Sequence, residues 1–161
     1  MTPQDVNFIH TIVVHCSATK EGQWIEADDI DKWHKNRTPP FSMIGYHRVI
    51  RLDGSVEGGR PYTRRGAHVR GNNINTLGIC MVGGLDFEGT PKNTFTNEQY
   101  HSLLAEIINI REICPNITKI KGHRDFSPDL NGDGLITQNE WIKQCPCFDV
   151  GKWLETLRYS V

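Results

Sequence analysis

Short runs of apolar residues alternate with longer polar stretches along the chain. The run at residues 8–14 is β-branched and nearly continuous, which predicts a central strand that is buried on both faces and ends at His15. The apolar runs at residues 77–82 and 117–121 predict two further strands. Residues 46–57 contain Asp-Gly between two short strand patterns, and Asp-Gly tolerates the positive φ of a hairpin turn. The pattern therefore predicts five strands, two of them joined as a hairpin.

Three other segments have the apolar spacing of amphipathic helices. The first covers residues 28–36. The second begins at a capping-box sequence, Thr96 to Gln99, and carries an apolar stripe over residues 100–113. Asp149 can cap a last helix over residues 150–157. Because strands and helices alternate, the predicted fold class is α/β, with a central mixed β-sheet flanked by helices in one domain over residues 1–161. The strand order cannot be inferred from the pattern.

Composition narrows the possible partners. A net charge of -1 gives no electrostatic reason to expect nucleic acid, and the apolar runs are too short for membrane insertion. The first residues lack a basic segment followed by an apolar one, so no signal peptide is visible and we expect synthesis in the cytoplasm. The five scattered cysteines favour free thiols or a metal ligand over a disulfide framework.

Two histidines and a cysteine stand at the ends of predicted elements. His15 ends the first strand, His123 follows the strand at residues 117–121, and Cys145 precedes the last helix. Zinc hydrolases use three protein ligands and keep one position open, and two imidazoles with a thiolate are a normal set. Their spacing alone does not separate this role from a structural one. Cys147 could also compete as the ligand or pair with Cys145.

Seven short motifs occur in order along the chain: IVVHCSAT at residues 12–19, IGYH at 44–47, RLDG at 51–54, GAH at 66–68, NTLGI at 75–79, GH at 122–123 and KQCP at 143–146. Together they resemble the type 2 N-acetylmuramoyl-L-alanine amidases, the fold shared by phage lytic amidases and animal peptidoglycan recognition proteins. The resemblance extends over residues 8–157. It implies an enzyme that hydrolyses the amide between N-acetylmuramic acid and L-alanine of bacterial peptidoglycan, with one catalytic Zn²⁺.

The resemblance also implies roles for individual residues. The family's zinc ligands match His15, His123 and Cys145. Because the motif places the thiol ligand immediately before proline, Cys147 is interpreted as structural.

Three further positions match residues around the metal in the family. Tyr46 matches a catalytic tyrosine that can hydrogen-bond water or pass protons. Lys143 matches a lysine that can stabilise the oxyanion of the tetrahedral intermediate. His68 matches a position that lines the substrate groove. Without the resemblance, Tyr46 would indicate core packing, Lys143 an ordinary surface lysine and His68 a turn histidine.

Residues 129–140 form an insertion relative to compact phage members of the family, and they fit the twelve-position EF-hand loop. The predicted calcium ligands are Asp129, Asn131, Asp133, the Leu135 carbonyl, Thr137 and Glu140. The predicted Ca²⁺ is structural and would rigidify the segment that carries Lys143 and Cys145. The alternative is a turn rich in Asp, Asn and Gly that needs no ion.

Three other functions remain open. They are a non-catalytic peptidoglycan-binding module, a cytosolic amidase that recycles muropeptides and a calcium-regulated interaction protein. The presence of Tyr46, Lys143 and Cys145 together favours the enzyme. The expected partners are bacterial peptidoglycan or its muropeptides, and the expected state is a monomer. Without a visible signal peptide, the protein would reach the cell wall after release from a phage-infected cell or by a dedicated delivery system.

Overall fold

The computed structural model describes residues 2–158 and contains a five-stranded sheet. In chain order the strands of the whole fold are β1 (Thr11–Cys16), β2 (Thr19–Lys20), β3 (Arg48–Ile50), β4 (Val56–Gly58), β5 (Thr76–Met81), β6 (Gly84–Leu85) and β7 (Lys119–Gly122). The helices are α1 (Ala27–Asn36), α2 (Asn97–Ile113) and α3 (Val150–Arg158). The main sheet has the order β4-β3-β5-β1-β7, and β2 pairs with β6 apart from it.

The sheet is mixed, as predicted. Strands β3, β5, β1 and β7 run parallel, and β4 joins antiparallel to β3 through the predicted hairpin at Asp53 and Gly54. Strand β1 lies between β5 and β7, and every one of its residues is buried. The predicted central strand is therefore confirmed.

The start of β1 differs from the prediction. Phe8 is 65% exposed and belongs to a single 3-10 turn, Val6–Phe8, instead of the strand. The side chain of Asp5 caps this turn by accepting a hydrogen bond from the Asn7 N–H. A local side-chain cap thus outweighs the apolar pattern at the start of the run, and β1 begins three residues later than predicted, at Thr11.

One face of the sheet holds the larger core. Residues at alternate positions of the central strands, such as Ile12 in β1 and Ile79 in β5, pack against α2 and α3. Helix α2 contributes Leu103, Ile107 and Ile110 to this core. The predicted stripe was wider than the buried one, because Ile108 and Ile113 are 52% and 51% exposed.

Both predicted helix caps of the second half of the chain are confirmed. The Thr96 hydroxyl accepts from the Gln99 N–H, and the Gln99 side chain accepts from the Thr96 N–H. The Gln99 amide also donates to the Val82 carbonyl, which ties the first turn of α2 to the sheet. At α3 the Asp149 carboxylate accepts from the Lys152 N–H at 2.9 Å.

The other face of the sheet is covered by α1. Ala27 and Ile30 of this helix pack with Val49 and Cys80 of the sheet. Side chains alternate between the faces of a strand, so His15 of β1 lies on this face. None of the helices within residues 2–158 is long and apolar enough to cross a bilayer.

Candidate active site

The ends of two adjacent parallel strands and one loop bring together two imidazoles and a thiol. His15 lies near the end of β1, His123 directly follows β7, and Cys145 lies in the loop before α3. One ligand atom from each of the three lies within 4.8 Å of the others. The Cys145 Sγ is 3.8 Å from His15 Nδ1, and the two imidazole centroids are 4.7 Å apart. Over the part of the chain that the structure describes, this is the one such group of His, Cys, Asp or Glu side chains.

Backbone contacts hold the thiol against both strands. The Cys16 N–H donates to Cys145 Sγ at 3.3 Å, and the Arg124 N–H donates to the Cys145 carbonyl at 2.8 Å. A Cβ on Gly122 would lie 2.8 Å from Pro146 Cδ, so the glycine permits this loop to approach β7. Cys145 is therefore positioned by Cys16 and Arg124, the residues that directly follow His15 and His123 in the chain.

The histidines have the protonation state that a metal requires. Burial is the main cause that lowers the pKa of His15 well below 6.5, and His68, His123 and Lys143 add to it. Burial, followed by the charge of Lys143, lowers the pKa of His123 to about 4. Both rings are therefore neutral at pH 7 and can donate a nitrogen lone pair. Two neutral imidazoles and a thiol that converge on one point fit a tetrahedral Zn²⁺ with one position left for water or substrate.

His68 lies behind His15. Its Nδ1 is 2.9 Å from His15 Nε2, and its own Nε2 is 3.4 Å from the Thr76 hydroxyl. A metal on His15 Nδ1 requires the proton on Nε2, which then donates to His68. His68 also lines the pocket described below, but the residue is only 8% exposed, and its role toward a substrate stays a prediction.

Two glycines make room for this second histidine. A Cβ on Gly78 of β5 would lie 2.7 Å from His68 Cγ, and a Cβ on Gly66 would also collide with the His68 ring. The orienting role of His68 was missed from the sequence. Its signal was present in the GAH and NTLGI motifs, which contain both glycines and the histidine.

His47 is a second residue whose role the sequence did not reveal. Its Nδ1 accepts from the Gly78 N–H at 3.0 Å, so its Nε2 carries the proton and donates to the Arg64 carbonyl at 2.9 Å. The ring is fully buried, with its centroid 5.8 Å from that of His68. It fixes the backbone beside the histidine pair and does not reach the metal cluster.

A pocket of about 260 Å³ opens onto the cluster. Tyr46 and Lys143 both line it, so the structure brings the two predicted catalytic residues to the predicted ligands. The Tyr46 ring centroid is 5.0 Å from that of His15. Burial first, then nearby thiols including Cys80, raises the pKa of Tyr46 well above 10, so the phenol keeps its proton at neutral pH. Lys143 is exposed at the opening.

Cys147 lies outside the cluster. Its thiol donates to the Gly84 carbonyl at 3.3 Å and is 4.0 Å from the thiol of Cys16. A Cβ on Gly84 would meet both sulfurs, at 2.8 Å for Cys16 and 3.5 Å for Cys147. This arrangement agrees with the interpretation of Cys147 as structural.

The predicted calcium loop does not gather its carboxylates into a metal site. The six predicted ligands are Asp129, Asn131, Asp133, Leu135, Thr137 and Glu140, and within residues 2–158 no three acidic groups of this loop come close enough to hold an ion together. Backbone N–H groups occupy the carboxylates instead: Asp129 accepts from Gly132 and Gly134, and Glu140 accepts from Leu130, Asn131 and Thr137. The loop thus has the geometry of the alternative, a turn closed by its own hydrogen bonds. It gives no support to the predicted calcium site.

Comparison with known proteins gives one consistent result. Residues 5–146 match the family described as N-acetylmuramoyl-L-alanine amidase. The endolysin of Enterobacteria phage K11 is 36% identical over 143 residues, which cover 89% of this chain and 83% of the phage protein. The endolysin of Escherichia phage T7 is 34% identical over 144 residues, 89% of this chain and 84% of the phage protein. The solved N-acetylmuramoyl-L-alanine amidase LysC from Clostridium intestinale URNW superimposes with a TM-score of 0.69 at 28% identity, over 99% of this chain and 91% of LysC.

Proposed function

Because this chain belongs to the N-acetylmuramoyl-L-alanine amidase family, we propose that it is a zinc-dependent amidase that hydrolyses the amide between N-acetylmuramic acid and L-alanine of bacterial peptidoglycan. The observation that carries the proposal is the convergence of His15, His123 and Cys145 beside a pocket that also contains Tyr46 and Lys143. A non-catalytic binding module would need the pocket but not the three ligands.

The metal would be held by His15 Nδ1, the His123 ring and Cys145 Sγ. A zinc ion bound there lowers the pKa of water and polarises a carbonyl oxygen, which is the chemistry that amide hydrolysis requires at neutral pH. With a metal on His15 Nδ1, the protonated His15 Nε2 would donate to His68 Nδ1 at 2.9 Å, and His68 would keep the His15 ring in the orientation that presents Nδ1. This hydrogen bond to His68 would fix both the tautomer and the rotation of the His15 ring.

Tyr46 and Lys143 would act on the substrate. The protonated Tyr46 hydroxyl can donate to the scissile carbonyl or pass a proton to the departing amine. The Lys143 ammonium can stabilise negative charge that develops on the carbonyl oxygen after attack. Both groups supply most of their stabilisation in the transition state, so their loss should lower kcat more than it raises KM.

The phage relatives favour a role on the cell wall over a role in recycling. Two of the relatives are phage proteins named endolysin, and they align with nearly nine tenths of this chain. We therefore propose that the substrate is intact peptidoglycan, reached after release or delivery. The recycling alternative predicts instead that soluble muropeptides are cut faster than the intact polymer.

Digestion of purified peptidoglycan followed by mass spectrometry tests the proposal. We expect stem peptides that begin with a free L-alanine amine, no new reducing sugar and no cleavage between peptides. Dialysis against a chelator should abolish release, and stoichiometric Zn²⁺ should restore it. Tyr46→Phe and Lys143→Met should each lower kcat by roughly 10²- to 10³-fold, the usual cost of a lost transition-state donor or proton-transfer group. New reducing ends, or activity that persists without metal, would refute the assignment.

A further inference from the structure

A continuous wall of rings leads from the metal cluster to an arginine that lines the same pocket. The Tyr46 ring lies 5.0 Å from His15, and the His34 ring lies 5.4 Å from Tyr46. The Phe41 ring follows at 5.2 Å from His34, and the Arg37 guanidinium carbon stands 4.2 Å from the Phe41 centroid. The last four of these side chains all line the same pocket.

His34 holds the middle of this wall in place. Its Nδ1 accepts a hydrogen bond from the Gly45 N–H at 2.9 Å, which connects α1 to the segment just before Tyr46. Arg37 is the C-cap of α1, so its backbone is fixed by the same helix. The contact with Phe41 places the Arg37 guanidinium against this ring, and Arg37 itself lines the pocket.

The charged side chains that line the pocket are all positive. Among the described residues, the charged side chains that line the pocket are Arg37 and Lys143, and no Asp or Glu lines it. Arg48 and Arg51 also stack on aromatic rings, but each of these pairs with a glutamate. Among the ion pairs of the described residues none includes Arg37, although it is exposed. Its donors are therefore available for an anion that is not part of the chain.

The two sides of the scissile amide differ in charge. The glycan of N-acetylated sugars is neutral, whereas the stem peptide carries free carboxylates on its D-glutamate and on residues beyond it. An arginine recognises a carboxylate with two parallel hydrogen bonds. A cation at one end of the pocket thus marks the end that the peptide occupies.

We propose that Arg37 is a specificity-determining residue that binds a carboxylate of the stem peptide. The peptide lies along the wall of Tyr46, His34 and Phe41, and the glycan leaves the pocket on the other side of the metal cluster. This inference rests on the proposed function, because it assigns the orientation of that substrate.

Steady-state kinetics of Arg37→Gln and Arg37→Lys on matched soluble muramyl peptides tests the inference. One substrate is a muramyl tripeptide that ends in diaminopimelate, with every carboxylate free. A second has the D-glutamate α-carboxylate amidated, and a third has the carboxylates of the last residue amidated. Arg111→Gln is the matched control, since Arg111 is also exposed but lies on α2 across the sheet.

With the fully acidic substrate, Arg37→Gln should lower kcat/KM by about ten- to hundredfold, mainly through KM, because the contact is made equally in the ground and transition states. Arg37→Lys should recover part of the loss. One of the two amidated substrates should lower the wild-type value by a similar factor and make wild type and Arg37→Gln equal, which identifies the carboxylate that is bound. Arg111→Gln should match wild type throughout.

Equal losses of kcat/KM for Arg37→Gln on all three substrates, or no loss at all, would overturn the inference. The proposed function would still stand in that case if the wild type releases stem peptides from peptidoglycan. Calorimetry provides a readout that needs no turnover. In a Cys145→Ser background, the fully acidic muropeptide should bind more weakly when Arg37 is also replaced by Gln. Unchanged binding there would also reject the role of Arg37.

Discussion

At the scale of single residues, two cysteines separated by a proline have different surroundings. The Cys145 thiol accepts from the Cys16 N–H and faces His15, whereas the Cys147 thiol donates to the Gly84 carbonyl. Because Cys147 adopts a positive φ of 72°, the chain turns between the two sulfurs and sends them to different neighbours. The geometry thus favours the first cysteine as the predicted ligand, as the motif does.

Replacement of each cysteine by serine should separate these roles. Cys145→Ser should reduce bound zinc to well below one equivalent and abolish peptidoglycan hydrolysis, because a serine hydroxyl is a poor ligand compared with a thiolate. Cys147→Ser should keep one equivalent and most of the activity. Atomic absorption on dialysed protein, with hydrolysis of the same samples, measures both. Full zinc occupancy in Cys145→Ser with loss in Cys147→Ser would exchange the two assignments.

The structure brings together the residues that carry a motif, whereas the sequence did not reveal the residues that act on them through space. His15, His123 and Cys145 follow from the family resemblance, and the structure places their ligand atoms together. The contact of His68 with His15 depends on the missing side chain of Gly78, whose strand is neighbour to β1 only in the folded sheet. Periodicity along one strand carries no information on such a neighbour.

At the scale of elements, local signals predicted the helices and the hairpin well. Capping residues such as Thr96 and Asp149 act within a few positions, so their sequence context is sufficient. The order of the strands could not be predicted, because burial on both faces makes β1 and β5 alike in pattern. At residues 129–140 the sequence matches a calcium-binding motif, but in the structure the carboxylates of this loop accept hydrogen bonds from backbone N–H groups. Here a local signal predicted a site that the structure does not support.

The insertion should keep its structure without calcium. Addition of millimolar Ca²⁺ to calcium-free, zinc-loaded protein should leave both the melting temperature and the rate of hydrolysis unchanged, because Asp129 and Glu140 already have hydrogen-bond partners. Magnesium serves as the matched cation. A saturable rise in melting temperature with Ca²⁺ alone, lost in Glu140→Gln, would restore the calcium site that the sequence predicted.

At the scale of the whole molecule, buried neutral histidines couple folding to pH. Burial is the largest cause that lowers the pKa of His47 to about 4, and Arg60 and Arg48 add to it while the hydrogen bond to the Arg64 carbonyl opposes it. The unfolded chain, with an ordinary histidine pKa near 6.5, binds the proton more readily than the folded one. Stability from this group is therefore full above pH 6.5 and is lost as the pH falls toward 4.

Urea unfolding of the metal-free protein should show this loss. Between pH 7.5 and pH 4.5 we expect the free energy of unfolding to fall, with His47 alone contributing about 3 kcal/mol over the full window. His47→Asn keeps an acceptor for the Gly78 N–H and removes the titration. The variant should be less stable at pH 7.5 but should lose less on acidification. Parallel curves for the two proteins would contradict the role assigned to His47.

The metal cluster joins positions near the two ends of the described chain, and this has a consequence for synthesis. His15 leaves the ribosome early, whereas Cys145 is translated after nearly all of the sheet and α2. Until that codon has been read and its residue has emerged, the growing chain holds two histidines that cannot complete a three-ligand site. A chain cut short before residue 145 would therefore lack one of the three predicted ligands, and under the proposed function it should not hydrolyse peptidoglycan.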